Sequence, residues 1–405
     1  MRFSGFTDEW VSYKIGDISK TYSGGTPSTS KREYYEGNIP FIKSGEIGNE
    51  VTEQYINEEA INNSSAKKVQ KGDLLLALYG ATSGEVAISK IDGAINQAVL
   101  KIDNKMNNYF QYNYFVKYKD QIIHKYLQGG QGNLSANIIK KLEFYYPNLE
   151  EQQKISNYLL LIDNKIELLE KKHHEYQNFK KYLMQQIFAQ KLRFKSADGE
   201  QYSDWKERNL YEFLTEHKLK STGNEEVYSV SVHKGLVNQK EHLGRDFSAP
   251  DTSKYNLVKP GDIVYTKSPT GDFPLGIIKQ SRVDKNVIVS PLYGVFTPET
   301  YALGYILNDY FESNVNTHNY LHPIVQKGAK NTMNITNKTF LSKTLFVPTD
   351  VNEQQKIAEC FSKVNDSIRN IEIQQNKVNE FKKGLLQQMF IVQLILSLLQ
   401  NKKHI

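Results

Sequence analysis

The side chains best suited to chemistry lie in short, glycine-punctuated polar loops. In the first part of the chain these are Lys43-Ser44-Gly45, Tyr79-Gly80-Ala81-Thr82-Ser83-Gly84 and Gln128-Gly129-Gly130-Gln131-Gly132-Asn133. In the second part they are Thr266-Lys267-Ser268-Pro269-Thr270-Gly271 and Gln326-Lys327-Gly328-Ala329-Lys330-Asn331. Amides and hydroxyls can read base edges, ammonium groups can contact phosphates, and glycine lets backbone approach closely. The candidate DNA contacts are therefore Lys43, Ser44, Tyr79, Thr82, Ser83, Gln128, Gln131 and Asn133, with Lys267, Ser268, Thr270, Lys327, Lys330 and Asn331. Singly, each loop also reads as an ordinary exposed turn; the set is the signal.

Catalytic patterns are missing. There is no GxxxxGK[ST] loop, no HExxH, no CxxC and no EF-hand spacing. Pro250-Asp251 opens like a nuclease motif, but no well-placed Glu/Asp-x-Lys follows. One cysteine and no convincing Ser/His arrangement leave nucleophilic catalysis without support. His173 and His174 project about 100° apart on a helix, so they cannot share a metal from one face. No catalytic residue, metal ligand or cofactor site is predicted in this chain.

Composition sets the class. The 405 residues suggest two or three domains, and 24% charged residues with a mean hydropathy of -0.56 describe a polar soluble protein. The lone Cys360 excludes an internal disulfide and favours a reducing cytoplasm. Met1 to Phe6 lacks the apolar core of a signal peptide. The apolar run Phe390 to Leu399, interrupted by Gln393 and Ser397, is too short to span a bilayer. The net charge of +6 concentrates in residues 151–195 and 351–405, so charge supports nucleic-acid binding only weakly.

Those two segments are copies. Glu151–Phe188 aligns with Glu353–Phe390 without gaps at an offset of 202, and 14 of 38 positions are identical. Both begin Glu-Gln-Gln-Lys-Ile and end Phe-Lys-Lys-x-Leu-x-Gln-Gln-x-Phe. A 4-3 spacing gives one seam of Ile155, Leu159, Ile162, Ile166, Leu169, Leu183 and Ile187. The other seam is Ile357, Phe361, Val364, Ile368, Ile371, Leu385 and Met389. Both lapse at the same places, His173/Gln375 and Lys180/Lys382. The spacing predicts two helices of ~57 Å, at ~1.5 Å per residue over 38 residues. Asn148 and Asp350 stand three residues before the shared Glu, a capping-box-like start. The seams suit each other as an antiparallel intramolecular coiled coil; pairing between molecules is the alternative. Antiparallel pairing implies an internal pseudo-twofold.

The blocks before the helices mix short β-like runs with polar loops. Leu74–Tyr79, Val86–Ser89, Ala98–Ile102 and Leu142–Tyr146 read as strands in the first block. Ile263–Thr266, Leu275–Ile278, Val287–Val289 and Thr344–Val347 do so in the second. Helices are expected near 108–126 and 300–314. This predicts two α/β (α+β) domains of similar fold with mixed or antiparallel sheets. The boundaries read 1–147 and 196–348 for the blocks, with helices over 148–195 and 349–405.

The order of these pieces resembles a known family. Beside the duplicated helix strings stand Gly24-Gly25-Thr26-Pro27-Ser28, Gly37-Asn38-Ile39-Pro40-Phe41-Ile42, Gly72-Asp73 and Arg193-Phe194…Trp205. Together they are similar to the specificity subunits of type I restriction-modification systems, over the chain through Phe390. The resemblance implies two target-recognition domains, each reading one half of a bipartite, asymmetric double-stranded DNA site. It implies helices that set the spacing and dock two modification (methyltransferase) subunits. S-adenosylmethionine would belong to those subunits, and ATP with Mg to restriction/translocase subunits, so the chain itself would be non-catalytic. The second block has no close match to Gly24–Ser28, and the run after Phe390 exceeds the usual pattern. That run could extend the coiled coil, contact a partner, or be a frame peculiarity. The rival readings are a coiled-coil scaffold binding only proteins and a self-sufficient DNA methyltransferase or nuclease.

Overall fold

A computed structural model describes residues 2–127, 133–243, 251–267, 270–327 and 333–390. The chain divides into two compact units: residues 1–171 with 373–405, and residues 172–372.

In unit 1 a four-stranded antiparallel sheet runs in the order Ser19–Ser23, Val99–Asn104, Leu74–Ala77, Val86–Ile88. A second sheet orders Tyr55–Ile56, Ile39–Ile42, Gly93–Ile95, Lys67–Val69, and its middle pair is parallel. The expectation of mixed sheets is met here. Leu74, Leu76, Leu100 and Ile102 turn one face of the first sheet toward helix Asn108–Leu127. Leu75, Ala77 and Val99, at alternate positions, face the second sheet with Ile42 and Ile95. The continuous apolar run at Leu74–Ala77 follows, since both faces of the strand are covered.

Unit 2 repeats the plan. Its four-stranded sheet orders Leu214–Glu216, Gly294–Pro298, Ile263–Thr266, Ile277–Gln280, the strand-for-strand counterpart of the first. Helix Tyr301–Glu312 takes the place of Asn108–Leu127. Each block is closed by an antiparallel pair of its end strands: Val11–Lys14 with Glu143–Tyr146, and Lys206–Asn209 with Thr344–Val347.

The Gly-Asp turns are built alike. Gly72 (φ 94°) and Gly261 (φ 89°) occupy the left-handed region open to glycine. The following aspartate accepts a backbone N–H three residues back, from Gln70 in one turn and Lys259 in the other. Gly80–Gly84 forms the hairpin turn between two strands, with Gly84 N–H donating to the Ala77 carbonyl. One strand is displaced: the run read as Leu275–Ile278 pairs only from Ile277 to Gln280. Gly276 sits at φ 103° in a turn closed on the Phe273 carbonyl, which delays the extended backbone.

The two long helices are Leu149–Phe188 and Val351–Met389, 40 and 39 residues. In unit 1, Ile155, Leu159 and Ile162 from the start of the first pack with Leu385 and Met389 from the end of the second. In unit 2, Leu183 and Ile187 from the end of the first pack with Ile357, Phe361 and Val364 from the start of the second. Start meets end in both units, so the pairing is intramolecular and antiparallel. Leu169 and Ile371 are buried, while Ile166 and Ile368 are half-buried. The helix rims expose Leu160, Leu161 and Leu168. Phe390 is buried in the aromatic core of unit 1 against Trp10, Phe110 and Tyr114. The apolar run after it lies outside the described residues. No described helix is long and apolar enough to cross a membrane.

Candidate nucleic-acid interface and the helix junctions

Several candidate contacts come together in unit 1. Tyr79 is half-buried, Thr82 and Ser83 follow in the same turn, and Leu134 N–H donates to the Leu78 carbonyl at 3.0 Å. That bond brings exposed Asn133 beside the turn. Ser83 Oγ donates to the Leu78 carbonyl at 3.0 Å, so this hydroxyl also holds the turn. Lys43 and Ser44, both half-buried, leave the second sheet after Ile39–Ile42. The Lys43 ammonium lies 3.5 Å from Glu53. Gln128 and Gln131 lie outside the described residues.

In unit 2, Lys267 follows the central strand and is half-buried; burial depresses its ammonium pKa, and the nearby Glu216 charge opposes that. Thr270 is exposed and exchanges two backbone hydrogen bonds with Phe273. Lys327 lies in a two-residue strand, Gln326–Lys327, paired with Met333–Asn334. The Lys327 side chain, with Ser268, Lys330 and Asn331, lies outside the described residues.

A depression of about 340 Å³ beside Lys43 went unread in the sequence. Thr26, Thr29, Arg32, Tyr35 and Asn96 help line it. The Gly24-Gly25 pair explains its rim: a Cβ on Gly24 would stand 1.7 Å from the Ile95 carbonyl oxygen, and one on Gly25 2.6 Å from Ser65 Cβ. Only glycine allows that approach. Thr26 and the Pro27 carbonyl are then fixed by Gln97 and the Tyr35 hydroxyl. In the second block, which lacks that motif, the loop is built differently. Glu225 accepts bonds from Ser221 and Thr222, and the Thr222 hydroxyl leads the groups that hold its pKa at about 2.

The most ordered chemistry lies where the long helices begin. Asn148 and Asp350 cap them, accepting from Glu151 and Glu353 N–H at 2.9 and 3.2 Å. The expected capping box stops there. Neither carboxylate returns to the cap; Glu151 takes Arg2 at 2.9 and 2.6 Å, and Glu353 takes Arg193 at 3.1 and 3.0 Å. Both carboxylates are fully buried, where a bidentate guanidinium satisfies them better than one backbone N–H. Trp205 Nε1 also donates to Glu353 at 3.1 Å. The next residues, Gln152 and Gln354, are buried too. Each donates to a proline carbonyl, of Pro147 or Pro348, and accepts from the start of the block's helix, Asn107 N–H or the Thr300 hydroxyl. Glu-Gln-Gln-Lys-Ile is thus a clamp between block and helix as well as a helix start.

The seam's polar lapses also have partners. Lys382 lies 2.5 Å from Asp163 in unit 1. Lys180 lies 2.5 Å from Glu312 and 3.7 Å from Asp309 in unit 2. His173 meets Glu372 at 3.0 Å. Among the described residues no cluster of His, Cys, Asp and Glu could hold a metal ion.

Two like α/β blocks, each clamped to an antiparallel helix pair, define a duplicated block-and-helix protein. Residues 7–178 match the family model described as the Type I restriction modification DNA specificity domain. The chain is 29% identical over 239 residues to the type I restriction enzyme MjaIX specificity subunit of Methanocaldococcus jannaschii, covering 54% of this chain and 55% of that one. It is 27% identical over 173 residues to the EcoR124I/EcoR124II specificity subunit of Escherichia coli, covering 38% and 43%. The chain spans about half the length of the curated relatives it matches. The crystal structure of a type I restriction-modification S subunit from M. genitalium shares the fold, with a TM-score of 0.63 at 14% identity over 96% of this chain and 97% of that one. The chain is thus similar over part of its length to type I restriction enzyme specificity subunits, and in fold to a type I S subunit.

Proposed function

We propose that this chain recognises double-stranded DNA for a type I restriction-modification complex, each block reading one half of a bipartite, asymmetric site. The observation that carries the reading is one framework used twice with unlike loops. The two four-stranded sheets share their strand order, while Gly24–Ser28 in one block is replaced by the Glu225-centred loop in the other. Like frameworks place two loop sets in equivalent stations, and unlike loops read unlike bases. The relatives are named as specificity subunits, which supports the same reading.

The long helices then set the gap between half-sites and dock two modification subunits. Adenine methylation with S-adenosylmethionine belongs to those partners, and ATP- and Mg-dependent translocation to restriction subunits; this chain contributes recognition and assembly without a catalytic residue. Work in the cytoplasm follows from that role. Co-expression with the cognate modification subunit, followed by single-molecule sequencing of genomic methylation, tests this. Two different methylated half-sites at a fixed gap are expected. An assembled complex that leaves no bipartite methylated motif overturns the proposal.

A further inference from the structure

The two helix junctions can be superposed residue by residue. Asn107 and Thr300 each cap the block's helix, accepting from Phe110 and Leu303 N–H, and each bonds the equivalent glutamine of the long helix. This fixes an offset of 193 between the block helices, beside the offset of 202 between the long helices. Lys180 then corresponds to Lys382, and Tyr305 to Tyr112. Asp309 corresponds to Val116, Glu312 to Lys119, and Asn365 to Asp163.

The same lysine is therefore neutralised from opposite sides. In unit 1 the carboxylate is on the long helix: Asp163 pairs with Lys382 and accepts the Tyr109 hydroxyl. The block's helix offers Val116, which packs against the core, and Lys119, which turns away to Glu85. In unit 2 the carboxylates are on the block's helix. Asp309, fully buried, faces Lys180 and Arg282, and Glu312 faces Lys180 and Lys279. The long helix offers neutral Asn365, whose amide donates to Asp309 at 3.0 Å and to the Tyr305 hydroxyl at 2.9 Å.

We infer that these junctions are position-specific docking surfaces: the first helix seat accepts a block whose helix brings no carboxylate there, and the second accepts only a block that brings its own carboxylates. A block of the second type in the first seat would set Asp309 beside Asp163, a buried contact between like charges that Lys382 and the block's own Arg282 and Lys279 only partly offset. A block of the first type in the second seat would leave Lys180 in a half-buried site with no counter-charge. Both arrangements are costly because burial weakens solvent screening. The specificity of fit is independent of what the blocks bind.

Charge relocation tests this in the full-length chain, read by thermal unfolding. Asn365→Asp is isosteric, removes the amide that donates to Asp309 and Tyr305 and sets a carboxylate there instead; its midpoint should fall by about 5 °C. Adding Asp309→Asn moves the charge from block to helix, the arrangement found in unit 1, and should recover most of the loss. In unit 1, Val116→Asp should lower the midpoint and Asp163→Asn on top should restore it. Reciprocal recovery distinguishes a shared counter-charge from two unrelated structural roles, whose losses would add. Unchanged stability in Asn365→Asp, or additive losses in the double variants, overturns the inference. If Val116→Asp yields no folded protein, the isosteric pair at 309 and 365 decides.

Discussion

Arg2 and Glu151, 149 residues apart, meet in a bidentate ion pair whose carboxylate is fully buried. Arg193 and Glu353 repeat the arrangement 160 residues apart. Each arginine ties the chain entering a block to the helix leaving it. The second pair carries a further donor, Trp205 Nε1, whereas Trp10 Nε1 finds no acceptor among the described residues. Removing one partner of a buried pair strands a charge, at about 3–5 kcal/mol. Arg193→Ala should therefore destabilise unit 2 by that order in urea titration. Glu353→Gln should cost more than Glu151→Gln, because Trp205 and Arg193 both lose a charged acceptor.

Acid should act on unit 2 through Glu312. Burial raises its pKa, but Lys279 and Lys180 outweigh that and hold it at about 2, against an ordinary 4.5. A carboxylate depressed on folding adds stability above its unfolded pKa, and that stability fades as pH falls through the folded value. Between about pH 5 and pH 2 the unfolding midpoint of unit 2 should decline, and Glu312→Gln should flatten the decline. Asp309 moves the other way, since its burial favours the protonated form. A wild-type slope that persists in Glu312→Gln would assign the effect to other carboxyls.

The helix seam predicts a sharp contrast between its buried and its rim positions. Phe361, wholly buried between the helices in unit 2, should cost about 3–5 kcal/mol when changed to alanine. Leu161, 67% exposed, should change the stability of the isolated chain by less than about 0.5 kcal/mol. Denaturant midpoints of the two variants provide the comparison.

Under the proposed function, recognition is modular. Replacing residues 206–346 with the corresponding block of another specificity subunit should change one methylated half-site, provided the incoming helix supplies carboxylates for Lys180. Substituting Tyr79 and Asn133 to alanine should alter the other half-site alone. Inserting one heptad in both long helices should change the gap and leave both half-sites intact. Methylation sequencing reads all three; a change in both halves from either domain's substitution would contradict separate readers.

The amino-acid sequence determined the helices, their seam and the duplication, because periodicity and repetition are local properties of a string. Ile155 to Ile187 and Ile357 to Met389 could be assigned from spacing alone, and the Gly-Asp turns from glycine's freedom at positive φ. Strand positions were legible where apolar runs were bounded by such turns, and slipped at Gly276, whose turn the run did not reveal. Other roles were decided by tertiary structure. The shared Glu151 and Glu353 read as parts of a cap until folding brought arginines from outside the helix to them. Lys180 and Lys382 read as identical flaws in a seam; only the fold shows that one is answered by its block and the other by the opposite helix. The depression around Arg32 and Tyr35 draws on four separated segments. Counter-charges and cavities arise between segments far apart in the chain, so no window of sequence contains them.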